Sequence, residues 1–484
     1  MQPNKSKKNL SDVSKYCQNK DILSKMFLEL LNGMKLSYIN SILRSCKSRG
    51  VDSVKIFQVL FVFRFLDFEN INQLFRSKSD KIFDFEKDTI YDFMKNPKID
   101  WRKILHLFRN LVFKIIKEKS VSIENENNSP TCFILDDTQL DKSGKNIEFI
   151  GKVYDHCSGL YSLGIKVLTL GFWDGKSFSP VDFSVHNEPG KTGKRGLKVD
   201  DLKGQFSKQR EPNSSGFKRA SEIGKDKIQS SIDLVAMAVK KGMRAKYVLA
   251  DSWFVCEKFI TQILALGVGL NVIGLMKSNR TITHNAKTCK ASTVPQVFRK
   301  RIQCSKKFKC HYIRLQVEYK GLKMNMFWVR MKGQSTWKVL VSTDLTLPFV
   351  KVMEYYQIRW SIEVFFRDCK QNLGLNKCQS TDFDAHIAHI TIVYMNYMVL
   401  SLKKRFEDYE TLGEMFRHTK QCLLEITMVE KIWQIIIEIY LTLFAELGAD
   451  MDAFILKIIE LKGEFQNMVK NIIFAESQQL QDVA

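Results

Sequence analysis

The chain has 484 residues, 45% of them hydrophobic, which is long enough for two to four domains with buried cores and too apolar for a disordered polypeptide. Its 75 Lys and Arg against 52 Asp and Glu leave a net charge of +23, an excess that favours a polyanionic partner, nucleic acid or an acidic membrane surface. The longest apolar run, ITIVYMNYMVLSL at 390–402, is too short to span a bilayer, and the N-terminal MQPNKSKKNLSDVSKY has no apolar stretch of the signal-peptide kind, so an intracellular protein without a membrane partner is expected.

Residues 1–125 read as helical. SVKIFQVLFVFRFLDFENINQLFR carries apolar residues at helical spacing, and Pro97 separates two later helices. Arg64, Arg76, Lys78, Lys81, Lys95, Arg102, Lys103 and Arg109 are interspersed, which suits either a DNA-binding module or a bundle with a solvated basic face. SVSIENENNSP at 120–130 reads as a linker.

The character then changes. TCFILDDTQL is an apolar strand running into Asp136 and Asp137, and GLYSLGIKVLTLGFWDG and SFSPVDFSVHNE follow as further strands. Paired acids after a strand commonly form a turn or a helix cap. Residues 187–227 are rich in Gly, Lys, Arg and Ser without apolar periodicity, and predict a mobile loop or clamp. GKTGKRG within it lacks the spacing of a nucleotide-binding loop.

KIQSSIDLVAMAVKKGM predicts an amphipathic helix, and KYVLADSWF a short strand ending at Asp251. A further helix and strand follow, so the order argues for α/β packing with a partly parallel sheet. Open sheets of this kind place ligands at the carboxyl ends of their strands, where Asp251 falls. Residues 276–345 return to strand patterns and predict a β-rich insertion. Eleven cysteines without CxxC spacing read as reduced core thiols, although Cys289, Cys304, Cys310 and His311 admit a zinc site. His386 and His389, three apart on a helix, admit either metal ligation or satisfied helix histidines.

EYYQIRWSIEVFFRDCKQNLGL, residues 354–375, predicts one helix stopped near Gly374. Tyr356, Arg359, Glu363 and Lys370 lie at −7, −4, 0 and +7 from the glutamate and share one face. A solvated Arg359–Glu363 pair on a surface helix would give the same spacing. A carboxylate flanked by cations also meets the needs of metal-dependent phosphoryl transfer, the carboxylate holding a metal and the cations the flanking phosphates.

The pattern Tyr-x2-Arg-x3-Glu-x6-Lys resembles the YREK signature of DDE-type cut-and-paste transposases of bacterial insertion sequences. The resemblance spans roughly 130–400 and continues at ILDDT and YVLADSWF. It implies an α/β RNase H-like catalytic core (130–275 and 346–400) interrupted by a β-rich insertion (276–345). It implies a helical N-terminal DNA-binding region (1–125) and a helical C-terminal region (401–484) serving dimerisation. Asp136, Asp251 and Glu363 would be the catalytic metal ligands, with Asp136 favoured over Asp137 by the family register. Their hard oxygens select Mg2+ or Mn2+, two ions in all. Tyr356, Arg359 and Lys370 would hold DNA phosphates.

Trp337, in the insertion, shares a strand face with Val339 and Val341 and reads equally as a core residue or, by the resemblance, as an aromatic that captures a flipped base. The implied protein binds the terminal inverted repeats of its element in double-stranded DNA, cleaves the ends and joins the 3′-OH ends to target DNA. It does so as a homodimer in the cytoplasm at the nucleoid. The alternatives are an RNase H-like nuclease without strand transfer and a catalytically silent DNA-binding descendant.

Overall fold

The structure, a computed structural model, describes residues 37–46, 49–66, 70–76, 85–120, 129–155, 159–188 and 196–406, with 415 and 417. Two compact units divide the chain. The larger comprises Ile42–Ile56 and Phe85–Asp408 and holds the whole sheet. The smaller comprises Met1–Ser41, Phe57–Asp84 and Tyr409–Ala484.

In chain order the helices are α1 (Ser37–Ser45), α2 (Ser53–Val62), α3 (Ile71–Arg76), α4 (Lys87–Met94) and α5 (Trp101–Ser120). After them come α6 (Val199–Lys203), α7 (Ser215–Ser221), α8 (Lys227–Lys240), α9 (Glu257–Leu264) and α10 (Val294–Val297). The last three are α11 (Phe349–Gln357), α12 (Trp360–Gln371) and α13 (Phe383–Phe406). The strands are β1 (Cys132–Asp141), β2 (Gly151–Asp155), β3 (Leu160–Trp173), β4 (Phe178–His186), β5 (Tyr247–Ala250) and β6 (Asn271–Met276). They continue as β7 (Thr281–His284), β8 (Lys287–Lys290), β9 (Gln303–Ser305), β10 (Cys310–Tyr319), β11 (Leu322–Met331) and β12 (Lys338–Ser342).

The twelve strands among the described residues form one mixed sheet, in the order β2-β3-β1-β5-β6-β12-β11-β10-β7-β8, with β4 also on β3 and β9 on β10. β3 runs antiparallel to β1 and β4 antiparallel to β3, whereas β5 pairs parallel with both β1 and β6. Three antiparallel strands beside two parallel ones give the RNase H-like order β4-β3-β1-β5-β6. β5 is buried at all four residues, as a strand covered on both faces requires. Beside its end, β6 approaches so closely that a Cβ on Gly274 would stand 2.5 Å from the Ala250 carbonyl oxygen, so only glycine fits there.

The faces of β1 alternate with period two. Phe133 and Leu135 enter the core with Ile232, Leu234 and Val235 of α8 and Phe259, Ile260 and Ile263 of α9. The opposite face of the sheet meets α12 at β1 and β4 and α13 at β4, and the hydroxyl of Thr169 on β3 bonds that of Tyr394 on α13 at 2.5 Å. α13 is apolar all round because it is buried nearly throughout. It contains the whole apolar run noted in the sequence. This is the one helix among the described residues with the length and apolarity of a membrane span, and 94% of its most apolar window lies inside the protein.

Four expectations are corrected. First, β1 does not stop at Asp136 and Asp137 but runs on to Asp141, which puts both acids inside the strand. Second, the 354–375 stretch is two helices, broken at Ile358–Arg359. Short bonds from the Ile358, Arg359, Ser361 and Ile362 amides to carbonyls three residues back tighten the chain there.

Third, the basic stretch 187–227 is built into the fold over 196–227. Residues 189–195 lie outside the described residues. Arg210 is almost fully buried against Glu148 (2.6 Å) and Asp384 (3.0 Å), and Lys208 reaches Asp382 and Asp384 at 2.8 Å.

α4 and α5 belong to the unit of the sheet and α3 to the other. Fourth, two of the arginines that suited DNA binding are internal. Arg102 pairs with Asp182 at 2.9 Å and with Glu222, and Arg109 is 1% exposed. Lys78, Lys81, residues 1–36 and, apart from 415 and 417, the C-terminal region beyond 406 lie outside the described residues.

Candidate active site

β1 and β5 are in parallel register with Leu135 opposite Ala250. One residue further along stand Asp136, inside β1, and Asp251, just past the end of β5, so the parallel register brings together two acids 115 residues apart in sequence. The third acid arrives from α12. Arg359, at the start of that helix, donates through Nη1 to Asp136 Oδ2 at 2.8 Å and through Nη2 to Glu363 Oε1 at 2.5 Å. One guanidinium therefore ties the strand acid to the helix acid.

Asp251 is held by its own turn, its Oδ1 accepting from the Trp253 amide at 2.8 Å. Burial pushes the Asp136 carboxyl up to about 7 against the pull of Arg359. Asp137 and Asp251 add to the rise, which places Asp251 within electrostatic reach of Asp136. Burial likewise raises the Tyr356 phenol to about 12, with Asp251 and Asp136 among the charges acting on it. Its hydroxyl is enclosed with no hydrogen bond of normal geometry among the described residues, and the Arg359 guanidinium carbon lies 5.7 Å from its ring centre. Lys370 sits two turns beyond Glu363, about 10 Å further along the helix.

Asp137 is not part of this group. Period two turns it to the opposite face of β1, where Lys227 Nζ donates to its Oδ2 at 2.6 Å. Lys227 also lies 4.2 Å from the centre of the Trp253 ring. Neither Lys227 nor Trp253 was singled out by sequence, although Trp253 stands in the same ADSWF run as Asp251. Trp337, just before β12, is half-buried against the main core, and the Arg330 guanidinium lies 4.8 Å from its ring centre.

A divalent cation fits this donor set in kind. Asp136, Asp251 and Glu363 offer only hard oxygen atoms, and a buried carboxylate beside two others needs a compensating positive charge. Arg359 supplies that charge here. Among the described residues no three acidic, His or Cys side chains are already gathered as a metal cluster. The other metal readings find no support. His386 and His389 each place Nε2 on a backbone carbonyl, at 2.8 and 2.9 Å, and the eight described cysteines are free.

Residues 227–399 match the family described as transposase DDE domain, and residues 82–304 match the DDE superfamily endonuclease family. No curated protein matches the chain. Among solved structures, a piggyBac transposase synaptic complex with hairpin DNA is 14% identical, covering 79% of this chain and 73% of that one at a TM-score of 0.39. The NurA nuclease from Sulfolobus solfataricus is 11% identical, covering 59% and 86% at a TM-score of 0.21. At these scores neither likeness defines the fold, which rests on the sheet order. The first match takes in Asp251 and Glu363 and the second Asp136 and Asp251, so over these stretches the chain is similar to DDE transposase and DDE endonuclease domains.

Proposed function

We propose that the protein is a cut-and-paste transposase of an insertion sequence, which binds the terminal repeats of its element, cleaves DNA at their ends and joins the freed 3′-OH ends to target DNA. The observation that carries this reading is the Arg359 bridge. Acids from a central strand and a late helix meet on one cation, at a sheet edge shared with Asp251.

Asp136, Asp251 and Glu363 would hold Mg2+ or Mn2+. When bound, such a cation supplies the polarisation of the scissile phosphate and of the attacking and leaving oxygens. The chain's own residues do the rest. Arg359 keeps the two carboxylates of Asp136 and Glu363 together before DNA arrives, and Tyr356, Arg359 and Lys370 then hold phosphates of the strand beside the cleavage point. The basic excess supplies non-specific attraction to the duplex. A homodimer that pairs two element ends, acting at the nucleoid, completes the proposal, and excision through a hairpinned end is its expected course.

The test is an assay on linear duplex DNA carrying the sequences that flank the reading frame, with Mg2+ or Mn2+. Cleavage at an inverted repeat followed by joining to a second DNA is expected. Cleavage without joining would reduce the protein to a nuclease, and binding without cleavage would make it a silent descendant.

A further inference from the structure

Asp137, Lys227 and Trp253 form a second cluster at the same sheet edge, on the face of β1 turned away from Glu363. Trp253 is anchored from below by Phe254, which is fully buried, with the two rings edge to face at 5.4 Å. Its amide is tied to Asp251, so its backbone is fixed to the second acid of the candidate site. Yet the residue is 39% exposed, which is unusual for an indole so firmly held. Lys227 sits over it at 4.2 Å and is clamped by Asp137 at 2.6 Å. The lysine side chain is 15% exposed and the aspartate 20%, so the ammonium is fixed at the rim rather than waving in solvent. An ammonium carries three donors, and Asp137 takes one of them.

We propose that Trp253 and Lys227 form a binding site for an unpaired DNA strand, one nucleobase stacking on the indole while the ammonium meets the adjoining phosphate, with Asp137 positioning the lysine. The chemistry is that of single-strand binding sites, in which an aromatic platform takes any base and a neighbouring cation tracks the backbone. Duplex DNA cannot use the platform, because its bases are already stacked on each other. The inference rests on the DNA-processing reading above and adds where a strand opened beside the acids would go.

The test compares labelled 15-nucleotide mixed-sequence DNA, single-stranded and as a duplex, by fluorescence anisotropy without divalent metal. The proteins are wild type, Trp253→Leu, Trp253→Phe and Lys227→Met, each checked for unchanged melting. Trp253→Leu keeps an apolar side chain over Phe254 but offers no ring face, and is expected to weaken single-strand binding about tenfold while leaving duplex binding within about twofold. Trp253→Phe is expected to retain most of the affinity. Lys227→Met should reduce the slope of log affinity against log salt by about 0.7 for the single strand. Equal single-strand affinity in wild type and Trp253→Leu, or an equal loss for both DNA forms, overturns the platform while leaving the proposed enzyme untouched. Wild-type protein that binds neither form overturns both.

Discussion

Asp136 and Asp137 are adjacent in the chain and serve opposite faces of the sheet: the first accepts from Arg359, which caps α12, the second from Lys227 of α8. In sequence only the family register favoured Asp136 over Asp137. The pleat separates them. Asp136→Asn is expected to abolish cleavage at saturating DNA, by about a hundredfold or more, because it removes a charge from the group facing Glu363. Asp137→Asn should keep cleavage within about tenfold and cost about 1 kcal/mol of stability, since it loosens a partly screened ion pair. Single-turnover cleavage and denaturant unfolding, run on both variants, check the contrast. Equal loss of cleavage in the two would refute it.

A second pair of variants separates the acid from the cation on α12. Glu363→Gln conserves shape and removes charge, so DNA binding without metal should match wild type while cleavage is lost. Arg359→Ala removes a phosphate contact and also the tie between Asp136 and Glu363. Its expected signature is weaker DNA binding with a salt slope reduced by about 0.9 on duplex. Filter binding across a salt series reads both. If Glu363→Gln binds as poorly as it cuts, the glutamate is structural.

The acids stood out in the sequence more than their supports did. FILDD and VLAD are apolar runs meeting carboxylates, a local signal, although β1 runs on past its two acids to Asp141; Gly374 marks the helix end it was expected to mark, with a left-handed φ of 67°. The break at Ile358–Arg359 left no trace because no Pro or Gly announces it. It arises from three-residue backbone bonds that position Arg359 towards β1. The inward basic residues were misread for a different reason. Arg210 finds Glu148 and Asp384 at separations of 62 and 174 residues, and no window along the chain contains those partners. The same non-locality hid the pairing of β12 with β6, which carries the sheet from the core into the strands of 276–345.

The buried cluster beneath α5 gives a pH-dependent prediction. Burial alone would raise the Asp182 carboxyl, but Arg102, His106 and Arg219 together outweigh it and hold the group well below the usual carboxylate range. Burial also lowers the His106 imidazole, which stands 3.2 Å from Asp182. A carboxylate depressed by folding stabilises fully above its unfolded value of about 3.9 and loses that stabilisation as pH falls below it; a histidine depressed by folding adds a loss beginning below about 6.5. Asp182→Asn should therefore cost about 3 kcal/mol at pH 7, where Arg102 and Arg219 would be left with one carboxylate, Glu222, between them. The gap to wild type should narrow as pH falls below about 4. Urea unfolding at pH 7 and pH 3 measures it, and a gap that stays constant would show that Asp182 is not ionised in the native state.

Trp337 gives the last prediction. Its ring is half-buried against the main core beside Val339 and Val341, and Arg330 approaches it at 4.8 Å, so both packing and recognition have a physical basis. A hairpinned DNA end needs a sharply bent strand, relieved when one base leaves the stack, and an indole at the sheet edge can receive that base. On that proposal Trp337→Ala permits the first nick and slows hairpin formation and second-strand cleavage. A pre-nicked end would not restore the rate, whereas an abasic nucleotide at the flipped position would. Packing predicts something else: an unfolding cost of about 2 kcal/mol, and nicking and hairpin formation slowed alike in whatever protein remains folded. Trp337→Phe distinguishes the two further, because a smaller ring still stacks but fills the core less well. Gel analysis of nicked, hairpinned and released products over time, alongside urea unfolding of both variants, decides between them, and a uniform slowing with lowered stability assigns Trp337 to the core.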